Sequence, residues 1–187
     1  MKNILLLLFV IFNFSHLYSQ EKTQEEKDQE LFNLIYEHGY KFDTNDIYPS
    51  FNLYDINGNI IVRDSINTKP CLIYYFTRGC SPCSLEMPML NDFFIKYGNK
   101  IDFIAFTPIP KEEIDYYYPE NKAPKFTTIS VERSYFGKSG FPILFILNQE
   151  NLIKLKKGGG AGNKKSLEVH YKILTEYLTN FLSHEKN

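Results

Sequence analysis

Apolar positions recur along the chain with two different spacings, and each spacing predicts a set of elements. Short apolar runs bounded by Gly, Pro, Asn or Asp are typical of strands. Such runs occur at residues 51–54, 60–62, 71–76, 101–106, 126–131, 141–147 and 151–155. Apolar residues three and four apart predict a helix from Cys83 to Gly98, with Pro88 inside it, and a closing helix on the stripe Leu167, Tyr171, Leu174, Leu178, Phe181.

The order of these elements predicts an α/β fold. An Asn57-Gly58 step between the first two runs favours a β-hairpin ahead of the main unit. Residues 71–76, the first helix and residues 101–106 then form a strand, helix, strand unit, for which we expect a parallel pair. The last two runs are joined by a short polar turn at residues 148–150, which is typical of an antiparallel pair. One helical turn is expected around residues 112–117.

The N-terminus has the pattern of a secretory signal peptide. Residues 1–3 are cationic, residues 4–12 are apolar, and residues 15–20 are small and polar. The apolar run is too short to cross a bilayer, which needs about 20 residues; a buried N-terminal helix is the alternative. We therefore predict a signal peptide over residues 1–19, a polar lead-in with a short helix over residues 20–48, and one domain over residues 49–187.

The charge balance excludes a nucleic-acid-binding surface. The net charge is −1, and removal of Lys2 with the signal lowers it by one more. Neither nucleic acid nor an anionic membrane is then an expected partner, which leaves proteins or small molecules. We expect a soluble monomer in the periplasm or cell envelope, where disulfides persist.

The strongest chemical signal is Cys80-Ser81-Pro82-Cys83, directly after the buried run 71–76. The attacking species in disulfide exchange is a thiolate, and the start of a helix stabilises one on Cys80 through unpaired N–H groups and the helix dipole. Arg78 adds a nearby cation, and Pro82 suits a first helical turn. Cys83 is one turn further in and suits the resolving role.

A permanent disulfide and half of a metal site are the alternatives to an exchanging cysteine pair. No second Cys-x-x-Cys or paired histidine motif completes a zinc site, so neither a metal nor a separate cofactor is expected.

The motif Cys80-x-x-Cys83-x-x-Glu86-x-Pro88, together with Gly140-Phe141-Pro142 before a later strand, resembles the TlpA-like branch of the thioredoxin superfamily. The resemblance extends over residues 49–182. It implies a thioredoxin-like fold, with a central mixed β-sheet flanked by helices and an N-terminal β-hairpin extension. It also implies that Pro142 is a cis-proline facing the disulfide and that the backbone of Phe141 pairs with a substrate chain.

The sequence departs from that family at three positions. Gly79 and Phe76 stand where tryptophans are usual, and Tyr74 stands where a buried Asp or Asn is usual. Glu86 is the nearest candidate for a proton-relay acid. The alternative is a glutamate on the helix surface.

Several other features carry no clear chemistry. Cys71 is expected to be a small core residue, with a regulatory or second resolving thiol as the alternative. The run 116–118, three tyrosines, is expected to pack over the sheet rather than bind a partner. The glycine run 158–162 lacks phosphate-loop spacing, and His38, His170 and His184 are expected at the surface.

The resemblance leads to one principal function. We expect an exported thiol:disulfide oxidoreductase that reduces disulfides of envelope proteins and receives electrons from a membrane donor. A peroxiredoxin-like thiol peroxidase is an alternative, because Thr77 and Cys80 form a Thr-x-x-Cys step. A non-catalytic binding module on the same scaffold is the third possibility.

Overall fold

The computed structural model describes residues 42–64, 67–119, 122–136 and 140–184. The predicted signal peptide and residues 20–41 of the predicted lead-in, with its short helix and His38, lie outside these residues. The strands are β1 (Phe51–Tyr54), β2 (Ile60–Arg63), β3 (Cys71–Tyr75), β4 (Asp102–Thr107), β5 (Thr127–Ser130), β6 (Ile143–Leu147) and β7 (Ile153–Gly158). The α-helices are α1 (Ser81–Tyr97), α2 (Lys111–Tyr117) and α3 (Lys164–His184), and a 3-10 helix covers Arg133–Phe136.

The central sheet is mixed and has the order β5-β4-β3-β6-β7. Strand β3 pairs in parallel with β4, and β4 pairs in parallel with β5. Strands β6 and β7 add an antiparallel pair on the other side of β3. All five residues of β3 are buried, because the strand is central and covered on both faces. The predicted strand, helix, strand unit and the closing antiparallel pair are confirmed.

Strands β1 and β2 form the predicted hairpin as a separate two-stranded sheet. Its turn contains Gly58 at φ +83°, a left-handed conformation that glycine adopts without strain. The Ile56 N–H, in the turn, donates to the Thr128 carbonyl at 2.8 Å, which ties the hairpin to the edge strand β5. Phe42 and Tyr48, which fall in the predicted lead-in, are buried in the core.

The two faces of the sheet are covered differently. Alternate β3 residues Leu72 and Tyr74 face a core built with side chains of all three helices, whereas Ile73 and Tyr75 face an aromatic core. That second core is covered by β1, the 3-10 helix and residues 42–48, and its rings meet edge to face at centroid distances near 5–6 Å. Among the described residues, no helix has the length and apolar character needed to span a membrane.

Helix α3 packs through a stripe that differs slightly from the predicted one. Its buried residues are Leu174, Leu178 and Leu182. Tyr171 is 42% exposed, although its ring stacks on Phe93 at 5.0 Å between centroids. The prediction was therefore wrong for Tyr171, because a large ring can cover part of the core from its rim and keep one side in solvent.

Candidate active site

The predicted cysteine pair is a disulfide at the N-terminus of α1. The Cα atoms of Cys80 and Cys83 are 5.2 Å apart. Cys80 is the N-cap residue, and its Sγ accepts the Cys83 N–H at 3.2 Å. Pro82 lies in the first turn, where a missing N–H removes no helical hydrogen bond. The sulfur of Cys80 thus occupies the position where unpaired helix amides converge.

The two cysteines differ in access to solvent. Cys80 is 9% exposed, whereas Cys83 is fully buried beneath the first turn of the helix. Gly79, immediately before the pair, has φ +69°, a conformation that a tryptophan would adopt only with strain. A glycine where the resembled family usually has a tryptophan therefore has a backbone explanation.

Phe76 stands at the second position where the resembled family usually has a tryptophan, and its ring packs against another aromatic ring. Phe76 is buried and meets Tyr118 edge to face at 5.1 Å between centroids. The Tyr118 hydroxyl donates to the Thr77 carbonyl at 2.7 Å, and burial raises the pKa of Tyr118 to about 12. Tyr118 is thus the buried member of the tyrosine run, and Tyr117 packs against the same core while partly exposed. Tyr116 is 82% exposed, so the prediction that the run packs was wrong for Tyr116.

The predicted docking residues lie at the start of β6. The Phe141–Pro142 peptide bond is cis, as the resemblance implied. The ring of Phe141 contacts Phe136 at 5.1 Å, and the Arg133 guanidinium lies 4.8 Å from the centre of the same ring. A Cβ atom on Gly160 would lie 2.6 Å from Cβ of Pro82 and 2.8 Å from Cγ of Pro142. The cysteine loop and the cis-proline therefore lie side by side, with Gly160 against both.

Glu86 is buried, so the alternative of a surface glutamate is wrong. It lies one turn beyond Cys83 and is 2% exposed. Its Oε2 accepts the Tyr74 hydroxyl at 3.1 Å. Its Oε1 accepts from Lys157 Nζ at 3.1 Å, from the Ala161 N–H at 3.0 Å and contacts His170 Nδ1 at 2.9 Å. A buried carboxylate needs such donors, because leaving one unpaired would cost several kcal/mol.

Arg78 and the remaining cysteine lie apart from this cluster. The Arg78 side chain is 63% exposed, and its guanidinium forms an ion pair with Glu113 at 3.5 Å. Cys71 is fully buried on β3, and burial raises the pKa of its thiol to about 12. These features match the predicted core role for Cys71. Within the described part of the chain, no group of three His, Cys, Asp or Glu side chains could hold a metal ion.

Sequence reasoning missed two partners of Glu86. Lys157 lies near the end of β7, and His170 lies on α3 with only 22% of its side chain exposed. The prediction that His170 faces solvent was wrong, whereas His184 is exposed as predicted. His170 precedes Tyr171 and lies off the apolar stripe of α3, so periodicity alone could not find it. The sequence offered one signal for Lys157 and His170: a buried Glu86 would need cationic partners.

Comparisons with known proteins agree with this geometry. No protein-family model matches the chain. The chain is 24% identical over 131 residues to the thiol-disulfide oxidoreductase YkuV of Bacillus subtilis. The aligned region covers 65% of this chain and 88% of the relative. It is 22% identical over 133 residues to the thiol-disulfide oxidoreductase ResA of Bacillus anthracis, covering 68% and 76%. A solved structure of a candidate thiol:disulfide interchange protein DsbE from Chlorobium tepidum superposes with a TM-score of 0.62 at 17% identity, over 76% of this chain and 99% of that one.

The mixed sheet, the cis-proline and the disulfide at the start of α1 define a thioredoxin-fold thiol:disulfide oxidoreductase. Within that class, its sequence relatives and its structural neighbour support a likeness to the TlpA-like proteins of the thioredoxin fold.

Proposed function

We propose that the protein is exported to the cell envelope as a monomer and reduces disulfide bonds of other envelope proteins there. The observation that carries the proposal is the position of Cys80, which caps α1 while Cys83 lies buried behind it. A nucleophile belongs at the more exposed of the two cysteines, and a resolving thiol belongs within reach of it.

The proposed reaction has two exchange steps. In the reduced protein, the Cys80 thiolate attacks one sulfur of the client disulfide, which forms a mixed disulfide and releases the other client sulfur as a thiolate. Cys83 then loses its proton and attacks Cys80 Sγ, which closes the protein disulfide, breaks the mixed disulfide and releases the second client sulfur as a thiolate. The two client thiolates take up the two protons lost by Cys80 and Cys83. Two electrons pass to the client, and a thiol donor associated with the membrane must return two electrons to the protein.

We assign client docking to the edge formed by Phe141 and Pro142. The backbone there precedes β6, and an extended client chain could add to it in a strand-like contact. The adjoining ring of Phe141 is held by Phe136 and Arg133. This support keeps the docking backbone in place beside the cysteine loop.

The auxiliary residues have different proposed roles. Glu86 lies one turn beyond Cys83 in the same helix, and both of its carboxylate oxygens already accept hydrogen bonds, so we assign it a supporting role rather than proton transfer. Arg78 adds positive charge before Cys80, although its ion pair with Glu113 offsets part of that charge. No separate cofactor is needed, because the Cys80–Cys83 disulfide carries the electrons.

Trapping of the mixed disulfide tests the assignment of the two cysteines. A Cys83→Ser protein should retain client proteins through Cys80, and a thiol reductant should release them. A Cys80→Ser, Cys83→Ser double variant is the matched control, since it keeps the buried Cys71. Equal trapping by the single and double variants would contradict the proposed attack by Cys80.

The reduction potential tests the direction of electron flow. Equilibration of the Cys80–Cys83 couple with glutathione should give a potential well below about −120 mV, the value of a strongly oxidising member of this superfamily. A potential near that value would contradict the reducing role. Peroxide consumption by the Cys83→Ser variant should be slow, which separates the proposal from the peroxidase alternative.

Export can be tested directly in cells. The mature protein should begin near Gln20 and fractionate with the cell envelope, whereas a protein lacking residues 1–19 should stay in the cytoplasm. Mass spectrometry of the purified mature protein reads out the cleavage position. A mature protein that keeps Met1 would contradict the predicted signal peptide.

A further inference from the structure

The loop of residues 158–162, here called the glycine loop, supports both active-site prolines. Gly160 lies so close to Pro82 and Pro142 that a Cβ atom would come within 3 Å of each. The Gly159 N–H also donates to the Pro142 carbonyl at 2.9 Å. The glycine loop is therefore in direct contact with the cysteine loop and with the proposed docking edge.

The other side of the glycine loop is bound to Glu86. The Ala161 N–H donates to Oε1 of this carboxylate, and Ala161 is fully buried. Lys157 Nζ bridges the same oxygen and the Gly159 carbonyl, each at 3.1 Å. His170 Nδ1 approaches the same Oε1 at 2.9 Å. Because an ionised carboxylate only accepts hydrogen bonds, Nδ1 of His170 is placed to donate to Oε1, beside the Lys157 ammonium and the Ala161 amide.

We propose that His170 and Lys157 are positioning residues for client docking, which act through Glu86 to hold the glycine loop against Pro82 and Pro142. This inference rests on the proposed function. Among the described residues, the hydrogen bonds of Lys157 on β7 and of His170 on α3 go to Glu86 and to the Gly159 carbonyl, not to Phe141 or Pro142. Together with Glu86 and Ala161 they form what we call the carboxylate latch.

The composition of the loop explains why a latch is needed. Four of its five residues are glycines, which lose more backbone freedom on ordering than other residues and supply no side chain to anchor the loop. Gly160 must be a glycine because there is no room for a Cβ atom. The loop must therefore be ordered from outside, and hydrogen bonds to a buried charged group are the strongest available means.

The latch should affect two kinds of substrate differently. A peptide disulfide needs the docking edge, because its backbone lies along Phe141 and Pro142 in the proposed complex. A small aromatic disulfide needs only access to Cys80. A loosened glycine loop should therefore weaken reduction of the peptide far more than reduction of the small disulfide.

The test compares three variants of the full mature protein. His170→Leu removes the donor and keeps a helix-forming apolar side chain, while His170→Asn places an amide nitrogen near the position of Nδ1. His184→Leu is the control on the same helix, since His184 is exposed. We expect His170→Leu to raise KM for a peptide disulfide about tenfold, the effect of one hydrogen bond to a charged group. We expect its kcat, and its rate with the small disulfide, to stay within about twofold. His170→Asn should restore most of the peptide KM, and His184→Leu should match the unmodified protein.

Amide hydrogen exchange gives a second readout that does not depend on activity. The Ala161 amide in the oxidised protein should exchange at least about tenfold faster in His170→Leu than in His184→Leu. Unchanged exchange, or equal losses with both substrates, would overturn the positioning role. If the unmodified protein reduced neither substrate, the proposed function would fail, and the exchange rates would still decide whether the latch holds the loop.

Discussion

The Tyr74 hydroxyl donates a hydrogen bond to Oε2 of Glu86 at 3.1 Å, which joins the strand that leads into the cysteine pair to the helix that carries it. Both residues are buried, so each satisfies a polar group of the other that water cannot reach. Burial, with the neighbouring Glu86 carboxylate as a smaller cause, raises the pKa of Tyr74 well above its ordinary value. The strand position where the resembled family usually has a buried Asp or Asn thus carries a hydroxyl donor here, and α1 supplies the acid.

Removal of the Tyr74 hydroxyl should destabilise the fold. In Tyr74→Phe, Oε2 of Glu86 loses its donor in a buried position, so the free energy of unfolding should fall by about 1–3 kcal/mol. Urea denaturation of the oxidised protein measures this change in the free energy of unfolding. Tyr54→Phe, at a residue that is 60% exposed, is the control and should change stability by less than about 0.5 kcal/mol. A Tyr74→Phe effect as small as the control would show that the bond contributes little.

The fold could be predicted from the sequence to a large extent, because local rules determine most of its elements. The Asn57-Gly58 turn, the buried run that became β3 and the spacing of α1 each have a single favoured local structure. The 3-10 helix and the burial of Tyr48 could not be predicted in this way. Both depend on the aromatic core on the second face of the sheet, which forms only when distant segments meet.

The site could be predicted only in part. Cys80, Cys83 and Pro142 belong to a contiguous motif or a family pattern, so the sequence locates them. Lys157 and His170 are 71 and 84 residues from Glu86, and only the folded chain brings them to its carboxylate. A single sequence shows a charged residue on a helix, but it does not show whether that charge has partners in space.

Gly79→Ala tests the backbone explanation for the missing tryptophan. Gly79 has φ +69°, and a Cβ atom there would meet no other atom within 4 Å. The cost should therefore come from the left-handed backbone alone and amount to about 1 kcal/mol in the free energy of unfolding. Gly140→Ala is the control, because it also has open space around a Cβ position but no left-handed φ. Equal stabilities of the two variants, measured by denaturant unfolding, would contradict this explanation.

Alkaline pH should destabilise the protein partly through Cys71. Burial raises the pKa of this thiol from 9.0 to about 12, so between these values the unfolded chain has lost a proton that the native protein keeps. The free energy of unfolding then falls as pH rises, by about 1.4 kcal/mol per pH unit for this one group. Over pH 9–11 the free energy of unfolding of Cys71→Ala should fall less steeply than that of the unmodified protein. At pH 6–8 the two proteins should differ by a constant amount. Denaturant unfolding at each pH measures these free energies. Parallel curves for the two proteins across the whole pH range would contradict the role given to Cys71.

A pair of alanine substitutions within the glycine loop separates close packing from general loop stiffness. In Gly160→Ala, the new Cβ would come within 2.6 Å of Pro82 and 2.8 Å of Pro142, so the loop or the two prolines must move. In Gly162→Ala, the new Cβ would meet nothing within 4 Å, while the change in chain entropy is the same. Displacement of the docking edge should lower kcat/KM for a peptide disulfide about tenfold or more in Gly160→Ala, because angstrom-scale misplacement of a binding element is costly. Gly162→Ala should stay within about twofold of the unmodified protein. Similar losses in both variants would mean that flexibility of the loop, rather than the contact of Gly160 with the two prolines, governs docking.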